Sequence, residues 1–449
     1  MRSIKTYLAI VVVAAMGITQ QAGAKSWTLN ECIDYALANN ITLKKNVLQQ
    51  RSALEDVKQA QAALMPSLSA STSQNVGYTP WPQEGQFVVN GDQVETRSNK
   101  ASYNGSYGFN TSWTVWNGNQ NRNQVKLNKL AAQQAELDSA ETANLLKEQI
   151  AQLYVQILYS AEAISVNKES LATSQQNEDR GKEMVEVGSL SRADLAQLSA
   201  QRAQDEYNIV QAESNLNNYK RQLKQLLQIT SAEPFDVEIP NTTDAMALAL
   251  IPTVADTYAA ALESRPEIKN ALLGIESSEL SKKIAHAGRL PSINLNASAM
   301  TNTSTMNSNS FGTQIKNNFN IGAGVSVSIP IFDNRKTKTA VNKANIQQLN
   351  YELDLQQEQT TLYSDIENYW LQAVNNQNQF KSAQTATNSA QMSYDLLSEQ
   401  FRLGLKNIVE LMTGKDNLLT AKQNELQSKY LAILNIQMLK FYGSGNLDM

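Results

Sequence analysis

The stretch that decides the fold is Phe-Asn-Ile-Gly-Ala-Gly-Val-Ser-Val-Ser-Ile-Pro-Ile-Phe-Asp-Asn, residues 319–334. Every second residue from Phe319 to Ile329 is apolar, and the residues between them are glycine, serine or asparagine. A period of two is that of a β-strand, whose successive side chains point to opposite faces. Pro330 ends the pattern because proline has no backbone N–H to donate to a sheet. The stretch therefore predicts a strand near 318–330 with one apolar and one small polar face.

Three other stretches show the same alternation. Residues 103–115 alternate aromatic or apolar side chains with Asn, Ser and Gly, and weaker signals lie at 67–76 and 292–300. Glycines and prolines within 77–100, and Asn, Ser and Thr within 301–310, are typical of loops. The sequence thus predicts two pairs of strands, each pair joined by a loop.

Long helical patterns follow each strand pair. The region from Arg122 to Val187 has no proline, and its apolar residues recur at coiled-coil spacing: Leu146, Ile150, Leu153, Ile157, Ile164 and Leu171. A second apolar stripe runs beside this one, which predicts neighbours on two sides, as in a tube of helices. The same periodicity predicts further helices at 28–64 (one helix or two in tandem), 191–229, 253–289, 335–403 and 408–442.

The chain also repeats itself at large scale. Residues 36–44 resemble residues 261–269, an offset of 225, whereas Val187-Gly188 corresponds to Leu403-Gly404 at an offset of 216. The difference places a longer loop in the first copy, between its two strands. We therefore divide the chain into a first repeat at 25–229, a linker or equatorial segment at 230–252, and a second repeat at 253–449.

Residues 1–24 have the pattern of a secretory signal peptide, with two basic residues, an apolar run and Ala-Gly-Ala before the expected cleavage site. Removing Arg2 and Lys5 takes the net charge from −4 to −6, which argues against a nucleic-acid partner. Beyond this segment no apolar run reaches the about 18 residues that a membrane-spanning helix needs. A membrane span, if there is one, must therefore consist of strands.

The composition argues against an enzyme. Cys32 and His286 are the only cysteine and the only histidine, so the usual metal-ligand sets and Cys/His nucleophile arrangements cannot be assembled. We expect Cys32 to be a small core residue, because apolar residues flank it at helical spacing. No phosphate-binding glycine motif is present. We therefore expect neither a cofactor nor a catalytic residue.

Four strands with one apolar face cannot close by themselves, and lipid does not tolerate an open sheet edge. Closure would need several chains: two would give eight strands and a nearly filled lumen, and three would give twelve strands and a channel. A soluble sandwich of strands is the alternative, since aromatic alternation is common there too.

The order helix, Leu-Pro-Ser strand, loop, strand ending in Trp-Asn-Gly or Pro-Ile-Phe-Asp, long helix and glycine turn resembles the TolC-type outer-membrane efflux proteins. Arg265-Pro266-Glu267 resembles that family's Arg-Pro-Glu signature. The resemblance implies a mainly helical chain with a transmembrane β part, assembled as a homotrimer. A twelve-stranded β-barrel in the outer membrane of a Gram-negative bacterium would continue as a periplasmic α-barrel of twelve helices.

The resemblance also implies function and partners. The protein would be the exit duct of a tripartite efflux or secretion system, embedded in outer-membrane lipid. Its partners would be a periplasmic adaptor protein and an inner-membrane pump of the RND or ABC type. The alternative is a periplasmic coiled-coil adaptor or structural scaffold without a pore.

Site residues follow from the same resemblance. The adaptor-docking turns correspond to Val187, Gly188, Ser189, Leu403, Gly404 and Leu405. The periplasmic gate corresponds to Asp194, Phe401, Lys406, Glu410 and Thr413, where Phe401 replaces a tyrosine of the family's best-known member and Thr413 replaces an acid. We expect Lys406 to pair with a carboxylate or a helix-end carbonyl of a neighbouring chain. The alternative is that these residues only cap and solvate helix ends.

Overall fold

The computed structural model describes residues 26–81, 87–90, 93–96, 100–231, 235–240 and 242–447. The predicted signal peptide lies outside these residues. The chain is mainly helical, with ten helices in the described part: Leu29–Asn39 (α1), Ile41–Ala62 (α2), Gln120–Glu186 (α3), Arg192–Leu226 (α4), Asp244–Ala247 (α5), Val254–Ser264 (α6), Pro266–Ala287 (α7), Phe311–Asn317 (α8), Lys336–Arg402 (α9) and Ile408–Ser444 (α10). The described strands are Ser26–Trp27 (β1), Ser67–Tyr78 (β2), Phe87–Asn90 (β3), Gln93–Thr96 (β4), Ala101–Trp116 (β5), Asp236–Val237 (β6), Ser292–Ser304 (β7) and Asn320–Ser328 (β8).

The four predicted strands form one antiparallel sheet in the order β2-β5-β7-β8. The two predicted strand pairs therefore lie side by side, with β5 joined to β7 in the centre and β2 and β8 at the two edges. Cross-strand pairing places Leu68 opposite Thr111, and Leu295 opposite both Trp113 and Val325. The register thus collects most of the apolar residues of the four strands on one face, and Met300 lies on the other.

Neither face of this sheet carries charge, because the four strands contain no Asp, Glu, Lys or Arg. The apolar face is open to the surroundings of the chain: Leu68 is 75% exposed, Ile321 73% and Val325 66%. The opposite face presents serine, asparagine and glycine. An exposed apolar surface of this size on a single chain indicates a further partner or a membrane.

The helices pack as two long hairpins. α3 and α9 have 67 residues each, and they pack against the shorter helices α4 and α10, of 35 and 37 residues. α10 also packs against α3 and so joins the two hairpins. At about 1.5 Å per residue the long helices reach about 100 Å.

The predicted helices at 28–64 and 253–289 are each two helices in tandem. Asn40 separates α1 from α2, and its side-chain oxygen accepts hydrogen bonds from the backbone N–H groups of Thr42 and Leu43. Arg265 separates α6 from α7 with ψ 132°, because the following Pro266 disfavours the helical conformation of the residue before it. Both breaks bend the chain at equivalent points beside the long helices.

The main hydrophobic core lies around these breaks and includes residues of α1, α3, α6 and α10. Cys32 is fully buried in it, as the sequence predicts. Arg265 is 5% exposed, pairs with Glu148 at 3.2 Å and stacks over Tyr442 at 3.8 Å from the ring centre. Burial raises the pKa of Glu148, although the neighbouring guanidinium opposes the change.

Besides the break at Arg265 in the helix predicted at 253–289, three features differ from the sequence-based expectation. Residues 77–100 contain a short hairpin, β3–β4, within the predicted loop. The loop between β7 and β8 contains helix α8, which was not predicted. The 230–252 segment contributes β6, which pairs in parallel with β1. These elements are short, and tertiary contacts rather than local periodicity determine them. Within the described residues, no helix combines the length and the apolar character needed to cross a bilayer.

Candidate functional site at the tip of the long helices

The two glycine turns join the helices of each hairpin at the end farthest from the sheet. Gly188 and Gly404 have φ of 75° and 74°, the left-handed conformation that glycine adopts without steric cost. The N–H of Ser189 bonds the carbonyl of Met184 at 2.8 Å, and the N–H of Leu405 bonds that of Gln400 at 2.9 Å. These six-residue closures define a Schellman motif in both turns. The two predicted docking turns therefore share one backbone geometry.

The turns present apolar side chains to the surroundings. Val187 is 79% exposed, Leu403 56% and Leu405 70%. A Cβ added at Gly188 or Gly404 would meet no atom within 4 Å. The tip of each hairpin is thus an open, partly apolar surface.

Asp194 and Glu410 occupy matching positions just beyond the turns. The hydroxyl of Ser191 accepts from the N–H of Asp194 at 3.0 Å and donates to its carboxylate at 2.7 Å. In the second hairpin, Asn407 accepts from the N–H of Glu410 at 2.9 Å, and Glu410 accepts from the N–H of Asn407 at 3.3 Å. Both acids therefore help to cap the N-terminus of their own helix.

Lys406 pairs with Glu410 of the same chain, and both side chains are 38% exposed. The partner is a carboxylate of the same chain, and a contact of Lys406 with a neighbouring chain stays a prediction. The four-residue spacing brings the ammonium to the carboxylate without help from another chain. The Lys406 hydrogen bond, followed by the N–H of Asn407, holds the pKa of Glu410 below its usual range.

The side chains of Phe401 and Thr413 are not arranged as a polar gate. Phe401 is 4% exposed and packs in an apolar cluster, the tip cluster, with Leu198, Tyr394, Ile408, Leu411 and Leu418. Thr413 is exposed, and its hydroxyl donates to the carbonyl of Val409 at 2.8 Å. The ring of Phe401 carries no polar group, so Phe401 stabilises the joint between the hairpins by apolar packing. The polar residues that the structure gathers here are Asp194, Lys406 and Glu410, in two separate caps.

A buried ion pair that the sequence does not predict lies next to the tip cluster. Lys415 of α10 pairs with Asp205 of α4, and their side chains are 4% and 1% exposed. The hydroxyl of Ser174 donates to the same Asp205 carboxylate at 2.5 Å. The pair joins the two hairpins. Its residues are 210 positions apart, and no local pattern distinguishes them from the charged residues of solvated helix faces.

More polar contacts join α3 to the second hairpin. Asn177 donates to the hydroxyl of Tyr394 at 3.1 Å in the buried joint. Farther from the tip, Lys422 donates to Glu169 at 2.9 Å, and Tyr430 to Glu162 at 2.7 Å. The joint between the hairpins is therefore apolar at the tip, and polar contacts accompany the main hydrophobic core farther from it. Groups of three or more Cys, His, Asp or Glu that could hold a metal ion are absent from the described residues.

The sequence profile of the outer membrane efflux protein family matches residues 32–228 and 257–441. Outer membrane efflux protein BepC of Brucella suis biovar 1 is 22% identical over 431 residues, which cover 94% of this chain and 86% of that protein. Toxin and drug export protein A of Aggregatibacter actinomycetemcomitans is 22% identical over 422 residues, which cover 91% of this chain and 84% of that protein.

Solved outer-membrane channels share the fold. CusC superposes with a TM-score of 0.79 at 17% identity, covering 93% of this chain and 92% of its own. The Campylobacter jejuni outer membrane channel CmeC superposes with a TM-score of 0.73 at 19% identity, covering 92% and 86%. These relatives are channel and transport proteins. The chain belongs to the outer membrane efflux protein family, and it is an outer-membrane exit channel of an efflux or export system, with a long periplasmic extension.

Proposed function

We propose that three copies of this chain close one twelve-stranded barrel, which continues as a tunnel of twelve helices. The observation that carries the proposal is the four-stranded sheet, in which β2 and β8 each pair on one side and one face is largely apolar. Within a membrane both edges need a partner, because unpaired backbone groups in lipid are very unfavourable. A neighbouring chain's β8 beside β2 would supply that partner.

The space that the strands would enclose determines the number of chains that we propose. Eight strands would enclose a space that side chains nearly fill, whereas twelve leave room for a channel. Serine, asparagine and glycine on the second face suit a water-filled interior. The alternative of a scaffold without a pore does not account for the match to a family of outer-membrane channels.

The lengths of the helices support the proposed repeats at 25–229 and 253–449. α1 and α6 have 11 residues each, α2 and α7 have 22 each, and α3 and α9 have 67 each. Residues 230–252 would link the two copies, and residues 1–24 would direct export across the inner membrane before cleavage.

The exposed turns at Gly188 and Gly404 support a docking role. Family members work with a periplasmic adaptor and an inner-membrane pump. Here the hairpins of an adaptor would contact Val187, Leu403 and Leu405. Asp194, Lys406 and Glu410 would lie at the narrow periplasmic end, with three copies of each. The caps described above are then the resting state of a gate that an adaptor opens.

Arginine substitutions on the two sheet faces test the barrel. Val325 lies on the apolar face and Ser326 on the polar face of the same strand. Val325→Arg should destabilise the folded, membrane-inserted protein by about 2–4 kcal/mol if it lies near the midplane of the bilayer, whereas Ser326→Arg should be tolerated. Urea-induced unfolding in lipid vesicles measures both. Equal effects at the two positions would be incompatible with a lipid-facing sheet.

A further inference from the structure

Helix α8 lies against the apolar face of the sheet. The ring of Phe311 meets that of Tyr107 edge-on at 6.2 Å between centres. The hydroxyl of Thr301 donates to the carbonyl of Ile315 at 2.8 Å. Tyr107 and Thr301 are paired across β5 and β7, and the two-residue alternation puts them on the same face as Phe109. α8 therefore covers part of the surface that the proposed barrel would turn towards lipid.

The covered part is polar. Gln74, Gly105 and Thr303 form one row across three strands, and Thr303 is only 3% exposed. The hydroxyl of Tyr103 donates to Gln74 beside this row. Farther along β2 the same face becomes apolar again. On β2 the polar row is followed by Val76 and Tyr78, and Thr72 separates it from Ala70 and Leu68 on the other side.

The extent of the apolar face along the membrane normal shows at which depth the polar row lies. Strand β2 presents Leu68, Val76 and Tyr78 on that face, 75%, 80% and 68% exposed. Ten residue steps at about 3.3 Å, tilted by about 40°, reach about 25 Å along the membrane normal. The lipid-facing band of an outer-membrane barrel is also about 25 Å tall. The polar row therefore lies within the outer part of the band, where Gly105 and Thr303 are buried beside α8 and Gln74 is exposed.

α8 is held firmly in this position. Gln314 is 5% exposed, accepts from the N–H of Ser304 at 2.7 Å and donates to the carbonyl of Asn309 at 2.7 Å. Asn318 donates to the carbonyl of Asn302 at 2.7 Å. The helix is therefore an ordered part of the sheet's outer surface.

The outer side of α8 carries the signature of a membrane interface. Phe311 and Phe319 are 54% and 55% exposed. Lys316 is exposed and is the only charged residue between Arg289 and Asp333. Aromatic rings and single cations next to an apolar band are typical of the headgroup boundary, where a lysine attracts anionic lipid.

We propose that α8 is an interfacial helix, with Phe311 and Phe319 towards the acyl chains and Lys316 bound to the phosphate of an outer-leaflet lipid. This inference rests on the proposed barrel. It adds a specific lipid contact outside the pore.

A fluorophore at position 311 tests the depth of α8. Burial raises the pKa of the Cys32 thiol to about 12, so a bimane reagent at neutral pH will label Phe311→Cys selectively. The labelled protein is placed in phosphatidylcholine vesicles that contain lipids with a nitroxide at a shallow or a deep carbon. We expect quenching at 311, stronger with the shallow nitroxide. Val325→Cys should be quenched more by the deep nitroxide, and Ser326→Cys by neither.

The controls separate the two proposals. If position 325 is quenched and 311 is not, the barrel stands and the interfacial helix is refuted. If 325 and 326 behave alike, the proposed barrel itself fails.

Headgroup-matched nitroxide lipids test Lys316. Labelled phosphatidylglycerol should be enriched at position 311 over labelled phosphatidylcholine by about fivefold, the effect of one lysine near an anionic surface. Lys316→Gln should abolish this preference, whereas Lys100→Gln, which removes the cation just before β5, should retain it. A preference unchanged by Lys316→Gln would overturn the phosphate contact.

Discussion

Asp205 and Lys415 have opposite charges in a place that water does not reach, with side chains 1% and 4% exposed. Removing one partner leaves an uncompensated buried charge, which destabilises proteins by about 3–5 kcal/mol. We expect a loss of this size for Asp205→Asn and for Lys415→Met. The double variant Asp205→Leu/Lys415→Met should lose much less, because no charge remains to be desolvated. Urea unfolding of the purified protein measures each loss.

An exposed ion pair provides the matched control. Lys58 and Glu55 are 69% and 71% exposed, and pairs of this kind contribute about 0–1 kcal/mol. If Lys58→Met and Lys415→Met reduce stability equally, the buried pair has no special role in joining the hairpins.

Individual residues were the hardest feature to predict from the sequence. Cys32 was assigned to the core correctly because its apolar neighbours recur at helical spacing. The family resemblance predicts Phe401 at the gate from its position in the chain, and its packing in the tip cluster has no local signal. The partners of Asp205 are determined by how α4, α3 and α10 meet, and such contacts leave no trace in local periodicity.

At the scale of elements, a contact between a glycine and a leucine joins the two helices of each hairpin. The glycine lies on the long helix in the first hairpin and on the short helix in the second. In the first, Gly181 of α3 faces Leu198 of α4, and a Cβ at Gly181 would lie 2.5 Å from the Leu198 side chain. In the second, Gly414 of α10 faces Leu397 of α9, with a corresponding distance of 2.6 Å. Adding 216 to 181 gives 397, and adding 216 to 198 gives 414. The glycine and the leucine have therefore changed places between the proposed repeats.

This exchange predicts a compensated double variant. Gly414→Leu should overpack the hairpin and destabilise it by about 1–3 kcal/mol. Adding Leu397→Gly reproduces the arrangement of the first hairpin and should restore most of the loss. Gly443→Ala, in the same helix with no atom closer than 4.0 Å to the added Cβ, is the control and should not destabilise. Thermal unfolding of the parent, of Gly414→Leu, of Leu397→Gly and of the double variant gives the coupling energy, and simple additivity would refute the exchange.

The two turns form the second prediction at this scale. Gly188→Val and Gly404→Val should abolish export and leave the assembled protein intact, because each forces a β-branched residue into a left-handed conformation at the proposed docking surface. Gly445→Val is a matched control: Gly445 has φ of 77° and open space around it, but it ends α10 far from the tip. Drug accumulation in cells measures export. Normal export in the Gly188/Gly404 double variant would contradict docking at the turns.

The long helices and the four central strands could be predicted from the sequence because each carries a sustained period. α8 could not, since seven residues rich in Asn, Gln and Gly resemble a loop. The β1–β6 pairing joins Trp27 to Val237 and has no local signal at all. Length and periodicity thus determined which elements could be recognised.

At the scale of the whole molecule, closure is the feature that one chain does not contain. Family membership indicates a channel, and in the proposed barrel the sheet edges of several chains would meet. The register between neighbouring chains depends on contacts that a single sequence does not show in its own periodicity.

The proposed gate belongs to this scale because it would need three copies of each residue at one constriction. Lys406 neutralises Glu410 within each chain, so Lys406→Ala should leave three unpaired carboxylates that repel one another across the narrow end. We expect purified channels in planar bilayers to conduct more with Lys406→Ala than the parent does. Lys336→Ala, at the other end of the second hairpin, should change nothing.

The pH dependence of conductance should distinguish the parent from Lys406→Ala, because protonation of Glu410 has opposite effects on conductance in the two proteins. The pKa of Glu410 is lowered in the folded chain, so the stabilisation from its pair is complete above the ordinary carboxyl pKa of about 4.3 and is lost as pH falls through the lower folded value. The parent should therefore keep a low conductance from neutral pH down to about 4.3 and open only below it. In Lys406→Ala, protonation of Glu410 relieves the repulsion, so its excess conductance should instead decrease on acidification. If both proteins show the same conductance at every pH, Lys406 and Glu410 only cap a helix, and the closure then depends on the tip cluster around Phe401.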